Sequence, residues 1–337
     1  MKKISEQVIK KYNQNAPKLS LDTYSHFCLR MWRLKGEEKY IFPVFLSFQK
    51  RIFMLTKYFW EMEKGTPLLE LSWRFKKDFY LLNRVGKKKI EFYISAPHLL
   101  FLNVITHFLF NLKSFNLEGE LKDYYQIGKN FLLSLNLEKI LFDSNWIKKD
   151  PSELINTVFY LKFIGVIDLT DQLKEKIFNY WLKGKGNKNF KRKIYALTHL
   201  IIADSNYYQN FVSFSKVKEI LNFFRKNIDE ILIKTNPDVA GEVGLCFRLT
   251  QKEDLIIFRK IEDFIFSFYN NKEGYIPYRS ELKTDDLEKA EHRNIIAILF
   301  LNLRNKLYKG PDLRNFLKKN NLKLYFLDFK KGKWISI

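Results

Sequence analysis

The second half of the chain alternates between two kinds of hydrophobic pattern. Residues 216–234 and 254–269 carry apolar side chains at i, i+3, i+4 and i+7, which predicts helices with one face in water. Residues 190–203, 237–249 and 288–307 are apolar on several faces, which predicts helices that are buried almost all round. Buried helices that alternate with half-exposed helices need two layers. The pattern predicts an all-α fold, either a two-layer α/α toroid or a solenoid of helical hairpins.

Other helix signals flank this region. Asp150-Pro151-Ser152-Glu153 has the order of a helix start, with Asp as the N-cap, Pro in the first helical position and Glu in the third. This start predicts a helix that ends near Gly165, and a further helix is predicted over 170–182. Earlier in the chain the predicted helices are Leu19–Leu34, Phe42–Met62 and His98–Leu112.

Two segments have the character of strands. The stretch 68–95 contains LLELSWRF and KKKIEFYIS around Val85-Gly86-Lys87, which predicts a minor β-hairpin. The segment LKLYFLDFKKGKWISI, residues 322–337, predicts a second short hairpin that turns near Lys331-Gly332. Both hairpins would be additions to a helical protein.

No Pro- or Ser-rich linker divides the chain, so we expect one helical domain over 1–337. Within it, an α/α-hairpin half at 150–320 follows a helical half at 1–149. No apolar run reaches the roughly 17 residues of a membrane-spanning helix, and the basic N-terminus lacks the apolar region of a secretory signal. We therefore expect a cytoplasmic protein, and the distant Cys28 and Cys246 fit a reducing compartment.

The formal net charge is +22, which predicts attraction to nucleic acid, anionic lipid or an acidic substrate. The alternative is an ordinary solvated surface, because Lys, Asn, Ile, Phe and Tyr are all abundant, as AT-rich coding would produce. Charge alone does not decide between the two. The candidate polyanion contacts lie in the loop KGKGNKNFKRK: Lys183, Lys185, Lys188, Lys191, Arg192 and Lys193.

Ionisable residues recur on the predicted inner helices. His199 lies in the first, Asp238 and Glu242 share one face of the second, and His292 and Arg293 open the third. If these helices stand side by side, their two imidazoles and their carboxylates suffice for acid–base catalysis or for binding a divalent metal. The candidate catalytic residues are His199, Glu242, His292 and Asp238.

Each candidate also has a purely structural interpretation. His199 would be a core histidine that binds a carbonyl, and Asp238 would stabilise the macrodipole of its helix. Glu242 stands among small apolar neighbours, where an unpaired charge is costly, so a partner such as Arg293 is expected. His292 would cap or pair at a helix start.

Tyrosines in the loops next to these helices are candidate ligand contacts, because loops above an inner helical layer often bind ligands. Two glycines in the second inner helix, Gly241 and Gly244, predict a close approach of another backbone or of a ligand, and close helix packing is the favoured reason. The candidate substrate-binding residues are Arg293, Tyr207, Tyr208, Tyr275 and Tyr278.

Several catalytic motifs are absent from the sequence. It contains no P-loop, no G-x-G-x-x-G after a strand, no H-E-x-x-H and no G-x-S-x-G. These absences disfavour a P-loop nucleotidase, a dinucleotide-binding enzyme and a zincin.

Four segments resemble the C-terminal half of uncharacterised α/α-toroid domain proteins: ALTHLIIADSNYY, PDVAGEVGLCFRL, NNKEGYIPYRS and AEHRNIIAILFL, within about residues 190–303. Those proteins tend to show a Thr-His helix, an Asp-x-x-x-Glu helix and a Gly-containing loop before a final His helix. The resemblance implies a barrel of inner helices wrapped by outer ones. Such toroids include glycan-processing enzymes, terpene cyclases and peptide-modifying cyclases. The Asp-x-Asp-Asp motif and the Cys-His zinc set of the two cyclase chemistries are missing here.

The leading hypothesis is a toroid-like protein with a polar central pocket. The pocket would perform acid–base or metal-assisted chemistry on an anionic substrate. The alternatives are a non-enzymatic basic scaffold that binds nucleic acid or another polyanion, and a partner-docking subunit of an assembly.

Overall fold

The all-α prediction is confirmed in the computed structural model, which describes residues 2–82, 87–184, 189–279 and 286–337. The first helices in chain order are α1 (Lys2–Gln14), α2 (Leu21–Lys35), α3 (Ile41–Glu63), α4 (Leu68–Leu82), α5 (Lys87–Ser95), α6 (Pro97–Ser114), α7 (Lys122–Leu133), α8 (Leu137–Leu141), α9 (Ser144–Lys149), α10 (Pro151–Ile164) and α11 (Thr170–Ile177).

The remaining elements contain every inner and outer helix predicted in the second half. They are α12 (Phe190–Asp204), α13 (Phe214–Lys226), α14 (Ile228–Lys234), α15 (Pro237–Leu249), α16 (Leu255–Ser267), α17 (Asp286–Lys289), α18 (Glu291–Asn302), α19 (Leu313–Lys319), β1 (Tyr325–Asp328) and β2 (Lys333–Ser336). Short 3₁₀ turns occur at Ala16–Lys18 and Glu38–Tyr40, and a π-helical turn occurs at Phe178–Leu182.

The chain divides into two compact units, each built from separate stretches of sequence. Unit 1 comprises Met1–Ser47 and Asn187–Pro311, and unit 2 comprises Phe48–Gly186 and Asp312–Ile337. All candidate catalytic residues belong to unit 1. A single domain over the whole chain stays a prediction. Within the described residues, no helix is both long enough and apolar enough to cross a membrane.

Four helices of unit 1 pack in a row. α18 contacts both α15 and α2, and α15 also contacts α12. Every residue of α15 except Asp238 is buried, and so is every residue of α18 from Glu291 to Phe300 except His292. α13 and α16, in contrast, bury only one apolar stripe each. The predicted difference between buried and half-exposed helices is therefore present in the structure.

Two glycines let α15 approach α18 closely. A Cβ on Gly241 would lie 2.7 Å from Ile296 Cγ2, and one on Gly244 would lie 2.5 Å from Phe300 Cε2. Real Cβ atoms essentially never approach so near, so a larger residue would push the helices apart. Close helix packing is therefore the reason for these glycines.

The C-terminal hairpin prediction is confirmed. β1 and β2 pair antiparallel, with Phe326 opposite Ile335. Asp328 Oδ1 accepts hydrogen bonds from the backbone amides of Lys330 and Lys331 at 3.0 Å each, and Gly332 has a φ of +62°. A carboxylate that binds the turn amides and a glycine in the left-handed region are the ordinary chemistry of such turns.

The predicted hairpin at 68–95 is wrong, because the segment forms α4 and α5. Leu71 and Phe75 are buried at helical i, i+4 spacing, and α4 packs on α6. Packing against a neighbour decided the structure over the strand preference of the aromatic residues. Of the predicted turn, Val85 and Gly86 lie outside the described residues.

One predicted helix is divided, and one predicted capping bond is absent. The helix expected over 216–234 is divided at Asn227 into α13 and α14. Asp150 stands at the N-cap position of α10, but its side chain makes no capping bond. It accepts a hydrogen bond from the Tyr93 hydroxyl at 2.9 Å instead.

Candidate functional site

Glu242 is the most deeply buried carboxyl group of the candidate site. Only 1% of its side chain is exposed. Its Oε2 accepts a hydrogen bond of 2.7 Å from the Thr198 hydroxyl on α12, and its Oε1 lies 3.8 Å from His292 Nε2 on α18. Burial raises the pKa of Glu242 to about 8, and the charge of Asp238 acts in the same direction. The hydrogen bond to Thr198 and the charge of Lys191 lower this pKa in part. Glu242 is therefore mostly protonated at neutral pH.

His292 is the accessible residue at the start of a buried helix. Its side chain keeps 46% of its surface accessible. Desolvation nevertheless lowers its pKa, and the charges of His26 and Arg30 lower it further, against the opposing charges of Asp238 and Glu291. His292 is thus a neutral imidazole at neutral pH, next to a carboxylic acid.

A second imidazole, that of His26 on α2, stacks on the first. The ring centroids of His26 and His292 lie 6.0 Å apart, and their planes differ by 22°. His26 Nδ1 lies 2.9 Å from both carboxylate oxygens of Glu291, a residue of α18 that is almost fully buried. We call Glu242, His292, His26 and Glu291 the Glu–His cluster.

Asp238 and Arg293 form an ion pair beside this cluster. Arg293 Nε donates to Asp238 Oδ1 at 3.0 Å, and its Nη1 donates to the carbonyl of Pro277. The Asn236 side chain, not that of Asp238, caps α15 by accepting from the amide of Val239 at 3.2 Å. Arg293 is therefore the partner of Asp238. One interpretation of the sequence had expected Arg293 to pair with Glu242 instead.

His199 lies on the accessible stripe of α12. Lys191, Tyr195 and His199 follow one another at intervals of four residues, and the rings of Tyr195 and His199 have centroids 6.2 Å apart. The Lys191 ammonium lies 5.8 Å from the centre of the Tyr195 ring. The side chain of α12 that bonds Glu242 is that of Thr198.

Tyr207 and Tyr208 lie in a strained turn after α12. Asn206, Tyr207 and Tyr208 have φ angles of +50°, +57° and +69°, although none is glycine. Residues in this conformation cost on the order of 1–3 kcal/mol each and persist where other contacts hold them. The guanidinium of the buried Arg33 donates to the carbonyl of Tyr207, and the Ser205 hydroxyl accepts from the amide of Tyr208 at 2.9 Å.

This turn sets Tyr208 against a cation of α2. The guanidinium of Arg30 lies 5.4 Å from the centre of the Tyr208 ring. Burial raises the pKa of Tyr208, which the charge of Glu242 reinforces and those of Arg30 and Arg33 oppose. Tyr208, Arg30 and Glu242 are thus near enough to interact electrostatically.

Tyr275 and Tyr278 have different environments. Tyr275 is buried, and its hydroxyl donates to Asp286 Oδ2 at 3.0 Å. The same carboxylate accepts from the amides of Tyr278 at 3.1 Å and Arg279 at 3.2 Å, so Tyr275 helps to hold this loop together. Tyr278 is exposed, and its ring faces the guanidinium of Arg293 at 5.5 Å.

The basic loop is only partly described. Lys183 is exposed, whereas Lys185 and Lys188 lie outside the described residues. Lys193 is buried and stacks on Phe223 at 4.3 Å, and burial lowers its pKa. Its ammonium is therefore an element of packing, which argues against its predicted contact with a polyanion.

Among the described parts of the chain, no group of three or more His, Cys, Asp and Glu side chains could hold a metal ion. Cys28 and Cys246 are buried and free. A divalent metal cofactor stays an untested expectation.

The sequence patterns did not select five residues of this region. Thr198, His26, Glu291, Arg30 and Tyr195 were not among the candidates. The signal for two of them was the i, i+4 spacing of His26 and Arg30 on a single helix. The partners across helices needed the tertiary structure.

These features define an all-α protein in which buried helices carry a cluster of carboxyl and imidazole groups. The chain belongs to a family described as a domain of unknown function (DUF3541), whose match covers residues 1–330. No curated protein and no solved structure matches the chain.

Proposed function

We propose that unit 1 carries a polar pocket in which Glu242 and His292 act as an acid–base pair on an anionic substrate. The observation that carries the proposal is the pair itself. Oε1 of the buried Glu242 lies 3.8 Å from Nε2 of the accessible His292. Burial raises the pKa of Glu242 to about 8, and desolvation lowers the pKa of His292. Groups whose environments shift their pKa values in this way are typical of catalytic sites.

The positions of the two carboxyl oxygens support a division of roles. Oε2 of Glu242 is bonded to the Thr198 hydroxyl, whereas Oε1 faces His292 at 3.8 Å. Glu242 would act as the general acid, and His292 would act as the general base. A pKa near neutrality lets a carboxyl group both hold and release a proton at physiological pH.

The neighbours of His292 would position it for a ligand. Its side chain is 46% accessible, so a ligand can reach it. His26 would orient His292 by ring stacking, and Asp238 with Arg293 would hold the Pro277 loop beside it. His199 and Tyr208 would contribute polar walls.

The proposal extends to the fold of unit 1, whose helices would form part of an α/α toroid. The row formed by α12, α15, α18 and α2 would be the inner layer, and α13 and α16 would belong to the outer layer. A cytoplasmic location stays a prediction.

The test combines a protonation measurement with turnover. In the full chain with ¹³C-labelled glutamate, we expect one carboxyl resonance to titrate near pH 8 and to vanish in Glu242→Gln. Turnover is then screened with p-nitrophenyl phosphate, acetate and glycosides. For any substrate that the wild type turns over, Glu242→Gln and His292→Asn should each reduce the turnover rate by about 100-fold or more.

The matched control is Glu219→Gln, which removes an exposed carboxyl group from α13 of the same unit. It should leave turnover and the shifted resonance unchanged. A Glu242 that titrates in the ordinary carboxyl range, or turnover that survives both site variants, would overturn the acid–base proposal.

A further inference from the structure

Glu291 and His26 form a second pair of carboxyl and imidazole groups, beside Glu242 and His292. Only 6% of the Glu291 side chain is exposed. Both of its oxygens lie 2.9 Å from Nδ1 of His26. Within the described residues, the Glu291 carboxylate makes no other hydrogen bond or ion pair. The buried carboxylate of α18 is therefore satisfied by a single nitrogen of a ring on α2.

This contact determines which nitrogen of His26 carries the proton. An ionised carboxylate can only accept hydrogen bonds, so Nδ1 of the neutral ring has to be the donor. The lone pair of the neutral ring then lies on Nε2. A carboxylate that holds an imidazole in one tautomer and orientation is a known arrangement in catalytic sites. His26 is thus held as a hydrogen-bond acceptor at Nε2.

The acceptor nitrogen of His26 is open to a ligand. Among the residues that the structure describes, no group donates a hydrogen bond to Nε2. The side chain keeps 33% of its surface accessible. Ser25 and Phe27, which flank it on α2, are buried. The helix is therefore packed on both sides of a ring that solvent can reach.

His26 also lies next to the imidazole that the proposed function uses. The ring centroids of His26 and His292 are 6.0 Å apart, and their planes differ by 22°. The side chain of His292 is itself 46% accessible. A small ligand that contacts one ring is therefore expected to reach the other.

We infer that a hydroxyl group of the substrate donates a hydrogen bond to Nε2 of His26, and that Glu291 positions the ring for this contact. The inference rests on the proposed function for the place of the substrate and for its negative charge. An amine would be protonated at neutral pH and would cancel that charge, so the donor is a hydroxyl. The substrate class is thus a hydroxylated anion. A site built to bond a hydroxyl discriminates against an analogue that lacks it.

The first measurement is the tautomer of His26, by ¹⁵N spectroscopy of the full chain labelled with ¹⁵N-histidine at mildly alkaline pH. His26→Asn assigns the resonances. In the wild type, Nδ1 should be protonated and Nε2 unprotonated. In Glu291→Gln the amide can donate as well as accept, so the tautomers should mix or reverse. Glu219→Gln, which removes an exposed carboxyl group from α13, is the control and should leave both resonances unchanged.

The second measurement adds lactate or propionate to the same samples. The two anions have the same carbon skeleton and the same charge, but only lactate has a hydroxyl group. In the wild type, lactate should shift the Nε2 resonance of His26 several times more than propionate does. Glu291→Gln should lose most of this difference. Far-UV circular dichroism establishes that the variants fold, and the comparison of the two anions in the wild type needs no variant of Glu291.

Glu242→Gln separates this inference from the proposed function. It removes the proposed acid and leaves the bond between His26 and Glu291 in place. The tautomer and the response to lactate should therefore persist while turnover is lost. If they persist and turnover does not depend on Glu242, the acid–base role alone is contradicted. A wild-type His26 that is protonated at Nε2, or a response to lactate no larger than that to propionate, would overturn the inference.

Discussion

The two oxygens of the buried Glu242 carboxyl group have different neighbours. The Thr198 hydroxyl bonds Oε2 at 2.7 Å, whereas the imidazole of His292 lies 3.8 Å from Oε1. The bond to Thr198 satisfies one oxygen, as buried polar groups require. The other oxygen is the one that faces His292.

Removing the Thr198 hydroxyl should destabilise the protein and raise the pKa of Glu242. In Thr198→Val, an enclosed oxygen loses its donor, which costs about 1–3 kcal/mol of unfolding free energy. Because the Thr198 bond lowers the pKa of Glu242, its loss should raise that pKa further. Urea unfolding and ¹³C titration measure the two effects. Thr198→Ser keeps the hydroxyl and should restore most of both, so a Ser variant that behaves like Val contradicts this account.

Glu242 should also make stability depend on pH in a particular direction. Its pKa is raised from 4.5 to about 8 on folding. The contribution of Glu242 to folding stability is fully present below pH 4.5 and is lost as the pH rises toward 8. The reason is that Glu242 ionises at a lower pH in the unfolded chain than in the folded protein. Lys191, Asp238 and His292 surround the group and are common to the wild type and its amide variant.

Glu242→Gln should therefore gain stability relative to the wild type as the pH rises across this window. Denaturant unfolding at several pH values measures the difference between the two proteins. The lowered pKa of His292 acts with the opposite sign, toward acid, but it largely cancels in the difference between the two proteins. A difference that is flat with pH would show that Glu242 ionises normally in the folded state.

Sequence patterns found only part of this site. Glu242 stood out because a charged group on a helix buried all round must be paired or functional. His292 stood out because it opens the third predicted inner helix. Thr198, His26 and Glu291 could not be assigned in the same way, since their importance lies in contacts between helices. Periodicity gives the face on which a side chain lies, but not its partner across the interface.

At the scale of helices, the glycines of α15 set the distance between α15 and α18. Gly244 faces the Phe300 ring and Gly241 faces Ile296. Glu242 and His292 project from these two helices. The separation of Glu242 and His292 therefore depends on two glycines that carry no side chain.

Gly244→Ala should destabilise the protein, although alanine is the better helix former. The added methyl group would lie 2.5 Å from a carbon atom of Phe300. Overpacking costs about 1–3 kcal/mol, which the helix propensity of alanine, worth about 1 kcal/mol, offsets only in part. Thermal unfolding measures the loss.

Gly119→Ala is the matched control, since nothing lies within 4 Å of a Cβ at that position. It should leave the melting temperature nearly unchanged. The Gly244 variant should also change the pKa of His292 in ¹H–¹³C spectra, because its helix shifts against α15. Equal stability of the two variants would contradict the close-packing account.

Element types were predictable where one periodicity dominated a segment, as in α13 and α16. The stretch 68–95 was not, because its aromatic residues suit either a strand or a helix. Burial of Leu71 and Phe75 in α4 decided for the helix. The neighbouring α6 provides the surface that buries them, so the sequence of the segment alone could not show it.

At the scale of the whole molecule, the chain path brings distant segments into one unit. His26 and Glu291 bond across 265 residues of sequence. No local pattern can indicate such a contact, since it depends on which stretches fold together. The stacking of His26 on His292 depends on the same association of distant segments.

The net charge of +22 allows electrostatic binding of a polyanion, which the salt dependence of affinity would reveal. Duplex DNA on exposed lysines should lose affinity steeply between about 50 and 200 mM salt, because each neutralised phosphate releases counterions. An affinity for DNA that does not change with salt would contradict binding through exposed lysines.

The exposed Lys183 provides the variant that tests the basic loop. If DNA binds through this loop, Lys183→Gln should reduce the salt slope for DNA by about one unit. Arg259→Gln, which removes an exposed cation from α16, is the comparison and should leave the slope nearly unchanged. Fluorescence anisotropy with labelled duplex DNA measures both affinities. Equal effects of the two variants would mean that the positive field of the whole protein, and not this loop, attracts the DNA.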